Sequence, residues 1–347
     1  MSRLDRLASR LADEPLLVTT PANVRYLTGL ESSNAALLVE PDGEATLYTD
    51  FRYAETARRL DRVAFVETRR NVLAELAGLL AGRRIAVEAE QLTVAGFDTL
   101  VAAGVEPVPT QGVVLAMRAV KDDGELDAIR RAARVSDRVF AELAREQFTG
   151  RTERELAWWI ERRLREEGAT GTSFDVIVAA GAGAASPHSH PGDRIVEPRQ
   201  LVIVDAGAVV DGYCSDCTRT FATGELSEQL AAAYELCLRA QLDGLAAVCP
   251  GAQGRAVDAA SRVAIEAAGL GAAYGHGLGH GVGLEIHEAP VLRPESEDVL
   301  EQGNVVTVEP GIYLPGVGGV RIEDLVVVTD DGCERLTTFG KELITVE

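Results

Sequence analysis

The segment LVIVDAGAVVDGYCSDCTRTF, residues 201–221, contains an apolar strand that ends at Asp205, a turn sequence at Asp211-Gly212, and a second strand that carries Asp216. A turn centred on residues 210 and 211 would place the two aspartates directly opposite each other. A turn centred on residues 211 and 212 would make them diagonal neighbours on one face, within about 4.5 to 8 Å. Either register brings two carboxylates together.

Two carboxylates on adjacent apolar strands repel each other and resist the loss of water, so a bound cation would stabilise them. The alternative is that Asp205 only ends a strand while Asp216 faces solvent. We favour the first interpretation, in which the hairpin supplies half of a divalent metal site.

The C-terminal region repeats this acidic pattern. NVVTVEPGIY (304–313) ends a strand at Glu309, and GVRIEDLVVV (319–328) places Glu323 early in another strand. If the midpoint of the Gly- and Pro-rich connection lies near Gly316, the two glutamates face each other, although so long a loop leaves the register open. The pattern predicts a second carboxylate pair.

The histidines are confined to two short segments. These are SPHSHPG (186–192), with His188 and His190, and GHGLGHGVGLEIHEAP (275–290), with His276, His280 and His287. A single histidine is more often structural than functional, but the confinement of all five beside glycines that allow close backbone approach favours a functional site.

Two aspartates, two glutamates and one histidine form a ligand set that is rich in oxygen. Such a set suits hard or borderline divalent ions and excludes an all-thiolate zinc site. We expect two ions about 3.5 to 4 Å apart with a shared water, manganese being preferred and zinc or cobalt the alternatives.

The sequence CSDC (214–217) has the C-x-x-C spacing of redox motifs and of half a zinc site. The pair lies along a predicted strand rather than at a helix start, and no second cysteine pair completes a structural zinc site. We therefore interpret Cys214 and Cys217 as packing residues.

The chain is expected to fold as two domains. Residues 1 to about 118 alternate helix and strand patterns, which predicts a small α/β domain. A charged, turn-prone stretch at 119–124 then leads into a long amphipathic helix, so we place the boundary there, between domains 1–119 and 120–347. Helices near 124–147, 152–167, 225–247 and 255–268, followed by strands and Gly-rich loops, make the overall class α+β.

Composition limits the function classes. With 34 basic and 54 acidic residues the formal net charge is −20, which argues against binding to nucleic-acid phosphates or to anionic membranes. The N-terminal residues are charged throughout and no later run has the length of a membrane span, so we expect a cytoplasmic protein. The odd number of cysteines, five, fits reduced thiols.

The motifs VDAGAVVDGYCSDCTRTF, GHGLGHGVGLEIHEAP, VEPGIY and RIED closely resemble those of the pita-bread metallopeptidases, the family of methionine aminopeptidase, aminopeptidase P and prolidase. The resemblance is strong over residues 120 to 347. PANVRYLTGLESSNAALLVE and LYTDFRY resemble the creatinase-type domain that precedes the catalytic domain in aminopeptidase P, prolidase and creatinase. The expected fold is therefore a small α/β creatinase-like domain followed by a pita-bread catalytic domain.

The resemblance implies a role for each matching residue. Asp205 would chelate one ion, His280 and Glu309 the other, and Asp216 and Glu323 would bridge both. A hydroxide bridging the ions would be the nucleophile, and Glu309 would carry its proton to the leaving nitrogen. Residues that would line the site, bind substrate or steady the tetrahedral intermediate are His188, His276, His287 and Arg321.

The resemblance also implies a substrate with proline in second position. The scissile nitrogen of an Xaa-Pro bond is a tertiary amide without an N–H, so the enzyme needs a pocket shaped for the ring, with Phe174 and Tyr213 as candidate walls. A dipeptidase must also meet the free carboxylate of that proline. The candidates are Arg293, and Arg52 if it reaches the site of a partner in a homodimer, the common assembly of this family.

We predict an Xaa-Pro dipeptidase. The nearest alternative is an Xaa-Pro aminopeptidase acting on longer peptides, since the ligand motifs are common to both. A third possibility, an inactive pita-bread module that binds peptides, is disfavoured because such a module would be free to lose ligands, and creatinase, which lacks catalytic metals, would be expected to lack this set.

Overall fold

The computed structural model describes all 347 residues. The backbone separates into two compact units, residues 1–118 and residues 119–347. Each unit has its own apolar core, and each contains both helices and strands. The predicted α+β class is confirmed.

The first unit is a mixed sheet with helices. Its strands are β1 (Leu16–Val18), β2 (Ala35–Val39), β3 (Ala45–Asp50), β4 (Ala64–Thr68), β5 (Arg84–Glu88) and β6 (Glu106–Thr110), and its helices are α1 (Arg3–Ala8), α2 (Pro21–Thr28), α3 (Ala54–Ala57), α4 (Val72–Leu79), α5 (Val94–Ala102) and α6 (Val113–Ala119). The strand order is β4-β3-β2-β1-β5-β6, with β1, β2 and β3 antiparallel and the outer pairs parallel. Leu17, Leu38 and Ile85 form the core with Leu76 of α4 and Leu100 of α5.

The second unit contains the four long helices α7 (Asp123–Leu143), α8 (Glu153–Glu166), α9 (Glu228–Ala247) and α10 (Gly254–Ala267). Reciprocal capping boxes start the first two: Asp122 with Glu125 for α7, and Thr152 with Glu155 for α8. These boxes explain why both helices begin where the sequence pattern places them.

Thirteen strands complete the second unit. They are β7 (Gly171–Thr172), β8 (Ile177–Ala180), β9 (Leu201–Asp205), β10 (Ala208–Val210), β11 (Tyr213–Cys214), β12 (Thr218–Ala222), β13 (Gly279–Gly281), β14 (Glu288–Leu292), β15 (Val305–Val308), β16 (Gly311–Leu314), β17 (Gly318–Arg321), β18 (Asp324–Val328) and β19 (Cys333–Arg335). They form four sheets, with the orders β11-β10-β7, β12-β9-β8, β14-β13-β15-β18-β19 and β16-β17. Val202 and Val204 of β9 and Phe221 of β12 pack with residues of α7 and α8 in the largest apolar core.

The first acidic hairpin has the turn at Asp211 and Gly212. Val210 pairs with Tyr213, and the φ angles of the two turn residues are 50° and 83°, as a type I′ turn requires. The same register pairs Asp205 with Thr218, so Asp216 is displaced by two residues from the position opposite Asp205. Of the two registers considered above, the structure has the diagonal one.

The second acidic hairpin has its midpoint at Gly316. Leu314 pairs with Gly318 in the β16–β17 ladder, and Val308 pairs with Asp324 where β15 meets β18. Both ladders give one register, in which Glu309 lies opposite Glu323.

No helix of the structure combines the length and the apolar composition that a membrane span needs.

Candidate metal centre

Three of the predicted ligands form a compact acidic cluster. Asp205 ends β9, Asp216 lies between β11 and β12, and Glu323 lies between β17 and β18. One carboxylate oxygen from each lies within 4.8 Å of the others, and all three residues are buried. The structure therefore brings together residues that are far apart in the sequence.

The other two predicted ligands adjoin this cluster. His280 Nε2 of β13 lies 3.3 Å from Glu309 Oε1 and 3.6 Å from Asp216 Oδ2. Glu309 directly follows β15, and its backbone N–H donates to the carbonyl of Leu278 at 2.8 Å, which fixes it beside β13. All five predicted ligands thus converge on one region.

The approach of these strands depends on a glycine next to His280. A side chain at Gly279 would collide with the carbonyl oxygen of Thr307 on β15. Only glycine allows β13 to come this close, which carries the His280 ring to Glu309.

The oxygens of the cluster divide into two kinds. Asp205 Oδ2 accepts from Arg321 NH2 at 2.6 Å, and Glu323 Oε2 accepts from the Thr218 hydroxyl at 2.9 Å. By contrast, Oδ1 of Asp205, Oδ1 of Asp216 and Oε1 of Glu323 are buried without a hydrogen-bond partner. A buried carboxylate oxygen without a hydrogen-bond donor can be stabilised by a divalent cation, which binds such oxygens. These residues therefore fit the metal ions that the sequence motifs imply.

The geometry also fixes which nitrogen of His280 is available. Nδ1 lies 3.1 Å from the carbonyl oxygen of Gly281, which can only accept, so Nδ1 carries the proton of the neutral ring. Burial lowers the pKa of His280, but the hydrogen bond to Glu309 and the charge of that carboxylate raise it overall, so that without an ion Nε2 also carries a proton and donates to Glu309. When that proton is lost, the neutral ring presents the lone pair of Nε2 toward Asp216 and Glu309. This is the tautomer that a metal-binding imidazole needs.

Burial and the proximity of charged neighbours shift the pKa values of the four carboxyl groups. Burial, followed by repulsion from neighbouring carboxylates, raises the pKa of Asp216 and of Glu323 well above the usual range, and burial also raises the pKa of Asp205. Burial alone would raise the pKa of Glu309 as well, but its hydrogen bond to His280 and the imidazole charge lower it to about 2. The anionic forms of Asp205, Asp216 and Glu323 are therefore disfavoured without a compensating cation.

Arg321 connects the cluster to its surroundings. Besides Asp205, it donates from Nε to the Thr218 hydroxyl at 3.1 Å, and from NH1 to the Tyr313 hydroxyl at 3.0 Å and to the Pro187 carbonyl at 3.2 Å. Its side chain is 4% exposed. This buried guanidinium fits the predicted role of Arg321 as a cation beside the metal ligands.

His276 is held by two hydrogen bonds. Nδ1 lies 2.8 Å from the Gly277 carbonyl and therefore donates, while Nε2 lies 2.9 Å from the Tyr313 hydroxyl and accepts its proton. The same hydroxyl accepts from Arg321, so one arrangement of protons satisfies all three groups. Burial lowers the pKa of His276, which keeps the ring neutral.

Three residues of this network were not identified from the sequence. Thr218 donates to Glu323, Thr307 donates to Glu309 Oε1 at 3.0 Å, and Tyr313 links His276 to Arg321. A usable signal was present for Thr218, which lies two residues after Asp216 and so on the same face of its strand.

A cavity of about 450 Å³ opens beside the cluster. Its apolar wall is formed by Phe174, Ile177, Ile286 and Val291, and its polar wall includes His188, His190, His276, His287 and Arg293. The His287 ring packs edge-on against His280, with 4.3 Å between centroids. The predicted site residues His188, His276, His287, Phe174, Arg293 and Arg321 therefore all border this cavity.

Two predicted substrate contacts are placed differently. Tyr213 lies outside the cavity lining, because at the end of the hairpin its hydroxyl donates to Glu125 of α7 at 3.0 Å; its prediction as a pocket wall is wrong. Arg52 belongs to the first unit, where it forms a bidentate ion pair with Asp50. Its contact with a partner's site stays a prediction.

The cysteines of CSDC fit the packing interpretation. Cys214 and Cys217 are buried and form no disulfide, and Cys217 lies in the largest apolar core. Burial raises the pKa of Cys217 well above the usual range, which disfavours the thiolate that redox or metal chemistry requires.

The chain was compared with known protein families. Residues 127–330 match metallopeptidase family M24, and residues 1–120 match the creatinase/prolidase N-terminal domain. The two matches confirm the resemblance predicted from the sequence motifs, for both parts of the chain.

Individual proteins match over nearly the full length. The chain is 33% identical to a protein named Xaa-Pro dipeptidase from Pyrococcus furiosus, over 99% of each sequence. A solved structure named Xaa-Pro dipeptidase from Bacillus anthracis matches at 37% identity with a TM-score of 0.94, covering 99% of both chains. A structure named X-Pro aminopeptidase from Thermotoga maritima matches at 33% identity with a TM-score of 0.90, covering 99% of this chain and all (100%) of that one.

Proposed function

Since the chain belongs to metallopeptidase family M24, we propose that it is an Xaa-Pro dipeptidase that uses two divalent metal ions. The convergence of Asp205, Asp216, His280, Glu309 and Glu323 carries this proposal. Asp205, Asp216 and Glu323 each have a buried oxygen without a hydrogen-bond partner, and the imidazole of His280 and the carboxylate of Glu309 adjoin them. The full-length similarity to proteins named Xaa-Pro dipeptidase supports the substrate class.

These five residues would hold the ions, with Asp216 and Glu323 as the shared ligands. When bound, the ions would supply Lewis acidity toward the scissile carbonyl and lower the pKa of a water molecule toward neutrality. We prefer manganese, with zinc or cobalt as alternatives, because the set contains four carboxylates and a single imidazole.

Glu309 is the proposed proton carrier. Its carboxylate lies at the edge of the cluster, borders the cavity, and is oriented by the Thr307 hydroxyl. From this position it accepts a proton from the attacking water and delivers it to the departing proline nitrogen. His188 and His287, on the polar wall, are placed to donate hydrogen bonds to the carbonyl oxygen of the substrate.

The cavity supports recognition of a small substrate with a proline ring. Phe174, Ile177 and Ile286 offer an apolar surface for the ring. Apart from the histidines, the lining has two cationic side chains, Arg321, which is already paired with Asp205, and Arg293. A guanidinium forms strong, often bidentate, hydrogen bonds with a carboxylate, so Arg293 is the proposed binding partner of the carboxylate of the C-terminal proline.

An Xaa-Pro aminopeptidase is the second candidate, and it is favoured by the similarity to the Thermotoga maritima protein of that name. The two functions differ in whether the cavity accepts a residue after proline. We further propose a cytoplasmic homodimer; five cysteines, none of them in a disulfide, support a reducing compartment.

The test is to offer the purified protein the dipeptide Ala-Pro and the tripeptide Ala-Pro-Ala side by side, with manganese, cobalt or zinc. We expect the dipeptide to be hydrolysed faster in the presence of metal, and Arg293→Met to raise KM for it. Faster hydrolysis of the tripeptide would assign the protein as an aminopeptidase, and hydrolysis of neither would refute the function.

A further inference from the structure

A single buried carboxylate holds both ends of a loop that forms part of the polar wall of the cavity. Glu153, the first residue of α8, has a side chain that is only 4% exposed. Its Oε1 accepts the backbone N–H of Ala180 at 2.9 Å, and its Oε2 accepts the backbone N–H of Gly192 at 3.2 Å. A buried carboxylate is stable only with such partners, so its position is defined by the two amides.

These two amides border residues 181–191. Ala180 is the last residue of β8, and Gly192 follows the histidine-containing segment SPHSHPG. The loop between them contributes Pro187, His188 and His190 to the cavity lining. Glu153 therefore spans the base of the loop without reaching the cavity itself.

The interior of the loop packs on the same group. A side chain at Gly183 would meet the carboxylate of Glu153 and the guanidinium of Arg194, which lies 3.5 Å from that carboxylate. The backbone of α8 adds a parallel connection, because Arg154 N–H donates to the carbonyl of Gly192 at 3.1 Å. The loop is thus fixed against the first turn of α8.

The middle of the loop has a different anchor. Arg321 donates to the carbonyl of Pro187, directly before His188. His190 lies between this anchor and Gly192, which Glu153 holds at its N–H and Arg154 holds at its carbonyl, so the hydrogen bond to Glu153 is one of two that restrain the part of the wall that carries His190. Removing that bond should move His190 while leaving His188 attached.

We propose that Glu153 is a positioning residue for substrate binding, which sets the cavity wall formed by residues 188–191 through the Gly192 amide. The inference rests on the proposed hydrolysis of Xaa-Pro substrates, and it deepens that function by separating binding from metal loading. The five proposed metal ligands lie on other strands, so Glu153 acts on the wall and not on the ions.

The test combines a variant with an exchange measurement on the unmodified protein. Glu153→Gln keeps the size of the side chain but offers one acceptor oxygen instead of two, so one loop amide loses its partner. With the metal-loaded enzyme and Ala-Pro we expect KM to rise about tenfold, the usual effect of one hydrogen bond to a charged group, with kcat changed less than about twofold. Metal content, measured by elemental analysis, should equal that of the wild type.

Glu161→Gln is the matched control, because Glu161 lies on the same helix outside the loop contacts and should keep the wild-type KM. In the wild-type protein, hydrogen–deuterium exchange should show the Ala180 and Gly192 amides protected relative to the amides of residues 188–190. An unchanged KM in E153Q, a loss of metal with kcat, or unprotected Ala180 and Gly192 amides would each overturn the inference. The exchange measurement decides the case if E153Q does not fold, and hydrolysis of no peptide by the wild type would refute the function separately.

Discussion

The two acidic hairpins of the second unit each bring two carboxylates together, but they do so in different registers. Both place carboxylates where a strand passes from one sheet to another: Asp205 and Asp216 lie at the break between β9–β12 and β10–β11, and Glu309 and Glu323 at the break between β15–β18 and β16–β17. The first pair is diagonal across the hairpin, and the second pair is directly opposed.

The difference lies in what fixes each register. Both hairpins have a ladder on each side of their carboxylates, but the first has only the two pairs of β10–β11 between its type I′ turn and the aspartates, whereas the second has the four pairs of β16–β17 between its turn and the glutamates. The hairpins then stabilise each other, because Thr218 of the first donates to Glu323, and Arg321 of the second donates to Asp205. Each carboxylate pair therefore receives a hydrogen bond from a side chain of the other hairpin.

The largest effect is expected at Glu309, the ligand of the second hairpin that also carries the proton. Glu309→Gln keeps the size but removes charge and basicity, so hydrolysis of Ala-Pro should fall by more than the roughly 10²- to 10⁴-fold of a general base alone. Glu301→Gln, with the same change on an exposed residue of the preceding turn, should have little effect. Near-normal hydrolysis by E309Q would remove the proposed mechanism.

In the first hairpin, Asp216 should show opposite effects on metal binding and on metal-free stability. Burial and the neighbouring carboxylates raise the pKa of Asp216, so the metal-free fold is disfavoured as pH rises from the unfolded pKa toward the folded one. Asp216→Asn removes this penalty, and we expect the metal-free variant to be more stable at neutral pH by on the order of 1 kcal/mol per pKa unit relieved.

The measurement is thermal melting of both proteins with chelator and with added manganese. The wild type should gain stability from the metal, and D216N should gain much less because a shared ligand is lost. A metal-free D216N that melts below the metal-free wild type would show that the aspartate is stabilised by something other than the ions.

A smaller effect is expected at the hydroxyl that joins the hairpins. Thr218→Val is nearly isosteric and removes the hydrogen bond to Glu323, so metal affinity measured by titration calorimetry should fall about tenfold. Thr307→Val, which removes the contact to the more exposed Glu309 within one hairpin, should lower affinity less. Equal effects would contradict the idea that the contact between hairpins matters most.

The smallest effect concerns the two turns. Gly212 and Gly316 have φ angles of 83° and 77°, so alanine at either position should cost about 1 kcal/mol of unfolding free energy, measured by urea denaturation. Gly316→Ala should leave metal affinity unchanged, because the four pairs of β16–β17 separate this turn from the glutamates, whereas only the two pairs of β10–β11 separate Gly212 from the aspartates. Gly212→Ala should also weaken metal binding measurably; if it does not, the two-residue turn is not what positions Asp216.

The sequence predicts the acidic centre well because its signal is local. A strand that ends in aspartate, followed by Asp211-Gly212, is sufficient to predict a hairpin, and the structure selects between the two registers considered. The opposed pair at Glu309 and Glu323 depended on the assumed midpoint at Gly316, which is the observed one.

Other features could not be predicted from the sequence because they depend on contacts between segments that are far apart along the chain. The interpretation of Tyr213 as a pocket wall failed since its partner, Glu125, lies 88 residues away along the chain. Tyr313 lies in the motif VEPGIY, but the motif does not reveal that its hydroxyl contacts His276. In the first unit, strand β4 is largely exposed, so its residues give no alternating apolar signal by which the sequence would mark it as a strand.

The guanidinium of Arg321 has a consequence for the order in which the enzyme is assembled. A structural zinc finger acquires its fold and its ion in one step, because nothing else neutralises its ligands. Here a permanent positive charge, built into the chain, is already paired with Asp205, and two threonine hydroxyls orient the glutamates. We therefore expect folding to come first and metal loading second, so that one and the same folded chain can exchange its ions with the metal pool of the cell during its lifetime.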